Sequence, residues 1–134
     1  MTHTGSCLCG AITFRANGPL RPIVACHCVQ CRKTSGHYVA ATSVARDQIQ
    51  IKGTPTWYSS SDTARRGFCG ICGSSLFWDG AGDNISIHAG VLDGTTGLTL
   101  KGHIFCADKG DYYEIDGALP SAPQDDPNLT TKVE

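Results

Sequence analysis

No stretch of this chain approaches the roughly 20 consecutive apolar residues that a membrane-spanning helix needs. Its first residues, Met1 to Ser6, are polar where a secretory leader would carry an apolar core. Both absences argue against a signal peptide or an anchor and lead us to expect a cytoplasmic protein. Charge of one sign is also missing. The formal net charge is -1, which gives no case for nucleic acid or an anionic membrane surface as a partner. There is no internal repeat, and the helical signals are short, so the chain reads as mainly β. Its 134 residues suit one domain with a core of its own.

What the chain does hold is sulfur. Eight cysteines in a reducing compartment read as metal ligands rather than disulfides. A secreted disulfide domain is the alternative, and it fits poorly, because CxC and CxxC pairs make strained or redox-type bridges. The densest group is Cys26-His27-Cys28-Val29-Gln30-Cys31, three cysteines in six positions. One turn of backbone can aim all three sulfurs at one point, where thiolates repel unless a cation lies between them; zinc is the usual one. Three protein ligands with an open fourth position are the mark of a catalytic zinc. Two further pairs flank this group, Cys7 and Cys9 in Gly5-Ser6-Cys7-Leu8-Cys9-Gly10, and Cys69 and Cys72 in a CxxCG turn. The economical partition sets Cys7, Cys9, Cys69 and Cys72 on one closed zinc and Cys26, Cys28 and Cys31 on an open one. The rival pairs Cys28 and Cys31 with Cys69 and Cys72 as a ribbon, across a gap longer than the roughly 15–20 residues such ribbons use.

Between the cysteines the chain alternates in short β-rich runs. Strands are expected over Ala11–Arg15, Tyr38–Val44, Ile49–Lys52, Thr56–Ser59, Ala64–Phe68, Ser74–Trp78 and Asn84–His88, with His103–Cys106 as the last core strand, while Ile23-Val24-Ala25 is a short apolar run that delivers the chain to Cys26. Val29 to Thr34 can make one or two helical turns, which Ser35-Gly36 would stop. From Gly117 onward, Pro120, Pro123 and Pro127 among polar residues read as an extended or disordered tail. Residues 1–116 would thus form a zinc-binding domain and 117–134 a Pro/Asp-rich C-terminal tail.

The ordered set of Cys7-Leu8-Cys9-Gly10, Cys26-His27-Cys28-Val29-Gln30-Cys31, Lys33-Thr34-Ser35-Gly36, Cys69-Gly70-Ile71-Cys72-Gly73, Ala89-Gly90-Val91-Leu92-Asp93 and His103-Ile104 resembles the glutathione-dependent formaldehyde-activating enzymes, a family that includes centromere protein V-like proteins. The resemblance runs from about Gly5 to Ile115. It implies a β-tent fold of short antiparallel strands built around zinc knuckles. It also implies two zinc ions per chain, structural on Cys7, Cys9, Cys69 and Cys72 and catalytic on Cys26, Cys28 and Cys31. The implied chemistry is that of a carbon–sulfur lyase, acting on a small-molecule thiol such as glutathione and an aldehyde such as formaldehyde.

Other residues carry two readings each. Arg32 and Lys33 could attract a substrate carboxylate or stand as solvated charges. His27 could be a fourth ligand or proton carrier, or could point away from the sulfurs. His37, His88 and His103 read as hydrogen-bonded structural residues, Cys106 as a buried small hydrophobe, and Trp57, Phe77 and Trp78 as core or pocket wall. Two rival functions share the pattern. In a methionine sulfoxide reductase of the B type, Cys106 would be the nucleophile. A non-catalytic zinc module that binds protein would want a basic arm, whereas the C-terminal stretch carries Asp125, Asp126 and only Lys132.

Overall fold

The computed structural model describes residues 2–131; Met1 and residues 132–134, Lys132 among them, lie outside the described residues. In chain order the strands are β1 (His3–Ser6), β2 (Thr13–Ala16) and β3 (Ile23–Cys26), followed by helix α1 (Val29–Ser35). Then come β4 (Val39–Ala45), β5 (Ile49–Lys52), β6 (Thr56–Ser59), β7 (Arg65–Phe68), β8 (Ser75–Asp79), β9 (Asn84–His88) and β10 (Leu100–Ile104), with a short helix α2 (Pro127–Thr130) near the end. The expectation of a mainly β chain of short antiparallel strands holds. One sheet runs β1-β2-β5 and the other β10-β3-β4-β9-β8-β7-β6. Every pairing between these strands is antiparallel except β10 with β3, which is parallel.

Alternation along the strands sorts the side chains of the larger sheet into two faces. Thr42, Val44, Ile85, Ile87 and Phe77 are buried on one of them, held in line by the pairs Thr42↔Ile87, Val44↔Ile85 and Phe77↔Ile87. This face meets Phe14 and Ala16 of β2, and together they form the core. Phe14 meets Phe77 edge-on with centroids 5.5 Å apart, and Trp57 stacks on Phe77 at 6.3 Å. Trp57 and Phe77 are therefore core residues, while Trp78, on the opposite face, is 37% exposed. Gly5 faces Phe14 as its cross-strand partner within the small sheet. A Cβ there would lie 2.3 Å from the Phe14 ring, so only glycine permits the approach.

Three local readings change. The polar opening, His3–Ser6, pairs with β2 as an edge strand, since backbone pairing at an edge asks little of the side chains. The last strand begins at Leu100 and stops at Ile104, because Phe105 adopts φ 53 and turns the chain into a short 3₁₀ segment that carries Cys106. Cys106 is in consequence half-buried rather than a core residue.

The segment read as a tail runs alongside β10. His103 N–H donates to Pro120 O at 2.9 Å, Ala122 N–H to His103 O at 3.0 Å, and Phe105 N–H to Gln124 O at 3.1 Å. Prolines lack an N–H but keep a carbonyl that accepts, so a proline-rich stretch can still serve as a strand's outer partner. Leu129 lies over Gly102, where a Cβ would come within 2.6 Å of it. The buried Arg21 adds a clamp: its three nitrogens donate to Pro22 O, Thr130 O and Ala41 O.

Because Phe77 joins both aromatic contacts and is fully buried, truncating it removes packing that the two layers share. Phe77→Ala is expected to cost about 3–5 kcal/mol of folding stability, read as a drop in the urea midpoint with little change in slope. A cost below about 1 kcal/mol would mean that Phe77 is not the centre of the core.

Candidate metal centres

The two outer cysteine pairs meet where the end of β1 faces the turn between β7 and β8. The Sγ atoms of Cys7, Cys9, Cys69 and Cys72 all lie within 4.8 Å of one another. Cys7 Sγ and Cys9 Sγ are 3.7 Å apart, as are Cys9 Sγ and Cys69 Sγ. A tetrahedral tetrathiolate zinc, with Zn–S near 2.3 Å, has sulfur–sulfur edges of about 3.8 Å, so this donor set fits such an ion. Each knuckle closes on a glycine with positive φ, Gly10 at 81° and Gly73 at 80°, a conformation that glycine adopts without Cβ strain. These turns aim backbone N–H groups at the sulfurs. Ile12 N–H donates to Cys7 Sγ at 3.3 Å and Ile71 N–H to Cys69 Sγ at 3.4 Å. Ser74 joins the knuckles, its Oγ accepting from Leu8 N–H at 2.9 Å and lying 3.2 Å from Cys72 Sγ. The Ser74 contacts, side chain first, pull the Cys72 thiol down to about 5.

The second group forms where β3 runs into α1. Cys26 ends the strand, Cys28 is the helix N-cap and Cys31 lies buried on the helix's inner side. Their Sγ atoms also lie within 4.8 Å of one another, with Cys28 and Cys31 at 3.2 Å. The Cys31 N–H donates to Cys28 Sγ at 3.3 Å, so the capping bond and the convergence of sulfurs are one piece of geometry. At the other end Gly36, at φ 82, stops the helix, its N–H donating to Arg32 O. Hydrogen bonds with Cys26 and then Cys31 hold the Cys28 thiol far below the usual thiol range, while those with Cys28 and then Cys31 push Cys26 up. Among the described residues, no fourth Cys, His, Asp or Glu ligand atom joins this set. The grouping separates Cys28 and Cys31 from Cys69 and Cys72, so the ribbon pairing is not formed.

His27 faces away from the sulfurs, yet into the protein rather than into solvent, at 1% exposure. Its Nδ1 lies 2.5 Å from Tyr113 OH and its Nε2 2.9 Å from His103 Nδ1, so both ring nitrogens are taken by groups outside the cluster. His103 thus has the hydrogen-bonded role expected of it, and the exposed His37 lies tilted against Tyr38 and edge-on to Tyr113. Arg32 and Lys33 lie along the outer turn of α1, Lys33 exposed. Burial pushes the Cys106 thiol up, opposite to what an attacking thiolate needs.

The residue that sequence reading missed is Arg66. Its Nη2 lies 3.8 Å from Cys31 Sγ, and its Nε and Nη2 both donate to Gln30 Oε1 at 3.2 Å. The sequence signal was faint, one arginine of a pair in an alternating strand whose inward face was unknown. Beside it, Thr34, Tyr58, Phe68 and His88 line a cavity of about 200 Å³.

Mainly antiparallel sheets that bring together one group of four sulfurs and one of three, each able to hold a metal ion, define a β protein with two candidate thiolate metal centres. The chain belongs to the glutathione-dependent formaldehyde-activating enzyme family, whose model matches residues 2–108. It is 28% identical over 116 residues to an uncharacterized lyase of Schizosaccharomyces pombe, covering 84% of this chain and 85% of that protein. It is also 35% identical over 87 residues to a Halomonas elongata protein named for the same family, covering 58% of this chain and 55% of that one. No helix among the described residues is long and apolar enough to cross a membrane.

Burial, and then the charge of Arg66, hold the His88 imidazole down to about 4, against about 6.5 in an unfolded chain. Between those values the unfolded chain binds a proton that the folded one does not. Stability from this group is complete above pH ~6.5 and is lost as pH falls through 4. Urea unfolding from pH 7 to 4 should show a steeper acid loss in the wild type than in His88→Gln, by up to about one proton. Superimposable pH slopes would show that His88 is not buried in its neutral form.

Proposed function

We propose that this chain is a zinc-dependent carbon–sulfur lyase, joining a small-molecule thiol such as glutathione to a small aldehyde such as formaldehyde, or releasing it in the reverse direction. The observation that carries this reading is the three-sulfur group of Cys26, Cys28 and Cys31, with no fourth ligand atom among the described residues. Cys7, Cys9, Cys69 and Cys72 would hold a second, structural zinc, giving two ions per chain. The family match and the relative named a lyase support the same class of chemistry. Residues 1–116 would carry both centres, with 117–134 as a Pro/Asp-rich C-terminal segment outside them. Eight free cysteines suit a reducing compartment such as the cytoplasm.

A zinc held by three thiolates exchanges soft ligands readily and favours the deprotonated form of an incoming thiol. The chain's part is to hold that position open. Cys28 and Cys31 are fixed by the helix cap and Cys26 by its strand, so none of the three has to move for a fourth ligand to enter. His27 cannot swing in without breaking its bonds to Tyr113 and His103. In the addition, the thiol sulfur forms a bond to the aldehyde carbon, the carbonyl π pair goes to oxygen, and the proton lost by the thiol ends on that oxygen as a hemithioacetal. No oxidant or reductant is needed.

Metal analysis of the purified chain should give two zinc ions. Cys28→Ser should bring this to one, keep the fold, and slow thiol–formaldehyde exchange by more than about 100-fold, since even outer-sphere changes at such sites cost 10–100-fold. Cys69→Ser should instead lose folding stability, because binding energy at a closed site is folding energy. Full exchange activity in Cys28→Ser would defeat the proposal.

A further inference from the structure

Cross-strand partners point to the same face of a sheet, as do residues two apart along a strand. Cys26 pairs with Val39, and Ala41, two residues on, pairs with His88. Ser86 pairs with Trp78, Trp78 with Arg66, and Arg66 with Tyr58. The register therefore sets Cys26, His88, Arg66 and Tyr58 on one face, opposite the hydrophobic core. α1 covers this face, with Gln30 bonded to Arg66 and Thr34 on the wall of the 200 Å³ cavity that Arg66 and His88 also line. Arg66, on the cavity wall, reaches Cys31 Sγ at 3.8 Å and shares its sheet face with Cys26, so the cavity and the three-sulfur group are neighbours.

The polar groups there are left unfinished. His88 Nε2 is buried without a hydrogen-bond partner. Arg66 takes no part in either ion pair found among the described residues, Arg46–Asp79 and Arg65–Asp79. Its contacts are one amide oxygen and a sulfur at 3.8 Å, which leaves Nη1 free of both. The same chain handles a purely structural arginine differently, giving each nitrogen of Arg21 a carbonyl. A half-buried guanidinium and an imidazole edge with donors to spare, against walls formed by Tyr58 and Phe68, suit a carboxylate on a short apolar arm. The cavity is smaller than the ~300 Å³ at which sites begin to bury a whole drug-sized ligand, so it seats one arm of a molecule.

We propose that this cavity is the carboxylate-anchoring subsite for the thiol substrate, with Arg66 and His88 Nε2 taking the carboxylate while the sulfur reaches Cys26, Cys28 and Cys31. The inference rests on the thiol-binding reading above and narrows the substrate to thiols that bear a carboxylate. Hydrogen bonds to a charged group contribute about 1.5–3 kcal/mol, which corresponds to roughly 10–100-fold in affinity.

Calorimetric titration of the zinc-loaded full chain with mercaptopropionate and with 2-mercaptoethanol reads the subsite as a ratio of two Kd values. The wild type should prefer the carboxylate-bearing thiol by about 10–100-fold. Arg66→Gln should bring the ratio close to one, and His88→Leu should reduce it in part. A ratio unchanged in Arg66→Gln, with both affinities falling together, would mean that Arg66 serves only the cysteine sulfurs, and would overturn the proposal. On the unaltered protein, mercaptopropionate should shift the His88 ring proton resonance and 2-mercaptoethanol should not; equal shifts would overturn it as well. If the wild type binds both thiols alike, the subsite falls and the thiol site stands. If it binds neither, both readings fall.

Discussion

Sulfur atoms that converge without a cation between them repel once ionised, and the rest of this molecule is arranged around that constraint. In the four-cysteine group the sulfurs come from the start and the middle of the chain, yet 3.7 Å separates Cys9 Sγ from Cys69 Sγ, close to the edge of a tetrahedral thiolate site. That closeness ties β1 to the β7–β8 turn and so ties the small sheet to the large one. Backbone N–H groups aimed at Cys7 and Cys69 ease the charge that the sulfurs carry. A metal-bound knuckle here would do what a larger core does in a bigger protein.

The second group obeys the same physics with one ligand fewer. Its three sulfurs sit at a strand-to-helix junction, where a helix cap and a metal-binding turn coincide. The sheet then has two jobs, one for each face. Phe77, Ile85 and Ile87 hold the layers together on one side, while Arg66 and His88 stand on the side that faces α1 and the sulfurs. Because the strands pair in fixed register, a change in the core that slipped β8 against β7 or β9 would also move the polar face.

The parallel pairing of β10 with β3 has a consequence for the C-terminal stretch. An edge strand leaves N–H and C=O groups unpaired, and residues 120–124 take them up. Arg21 then joins Thr130 to Ala41, so the end of the chain is held to the strand next to the one that carries Cys26. Upstream of that stretch, Tyr113 bonds His27, the residue between Cys26 and Cys28 in the sequence.

What the sequence determined alone was whatever depends on short spacing. CxC, CxCxxC and CxxCG place sulfurs within a turn of backbone, and glycines after the pairs announce the positive φ that such turns require. Alternation announced most of the strands for the same local reason. Folding decided what depends on register and on distant partners. Nothing in the sequence places Arg66 beside Cys31, since that follows from four successive strand pairings across the sheet. Nor does it turn His27 toward Tyr113 and His103, or lay a proline-rich segment along β10. A side chain's type and spacing are written in the chain, but the face it looks from, and what looks back, exist only once the strands have paired.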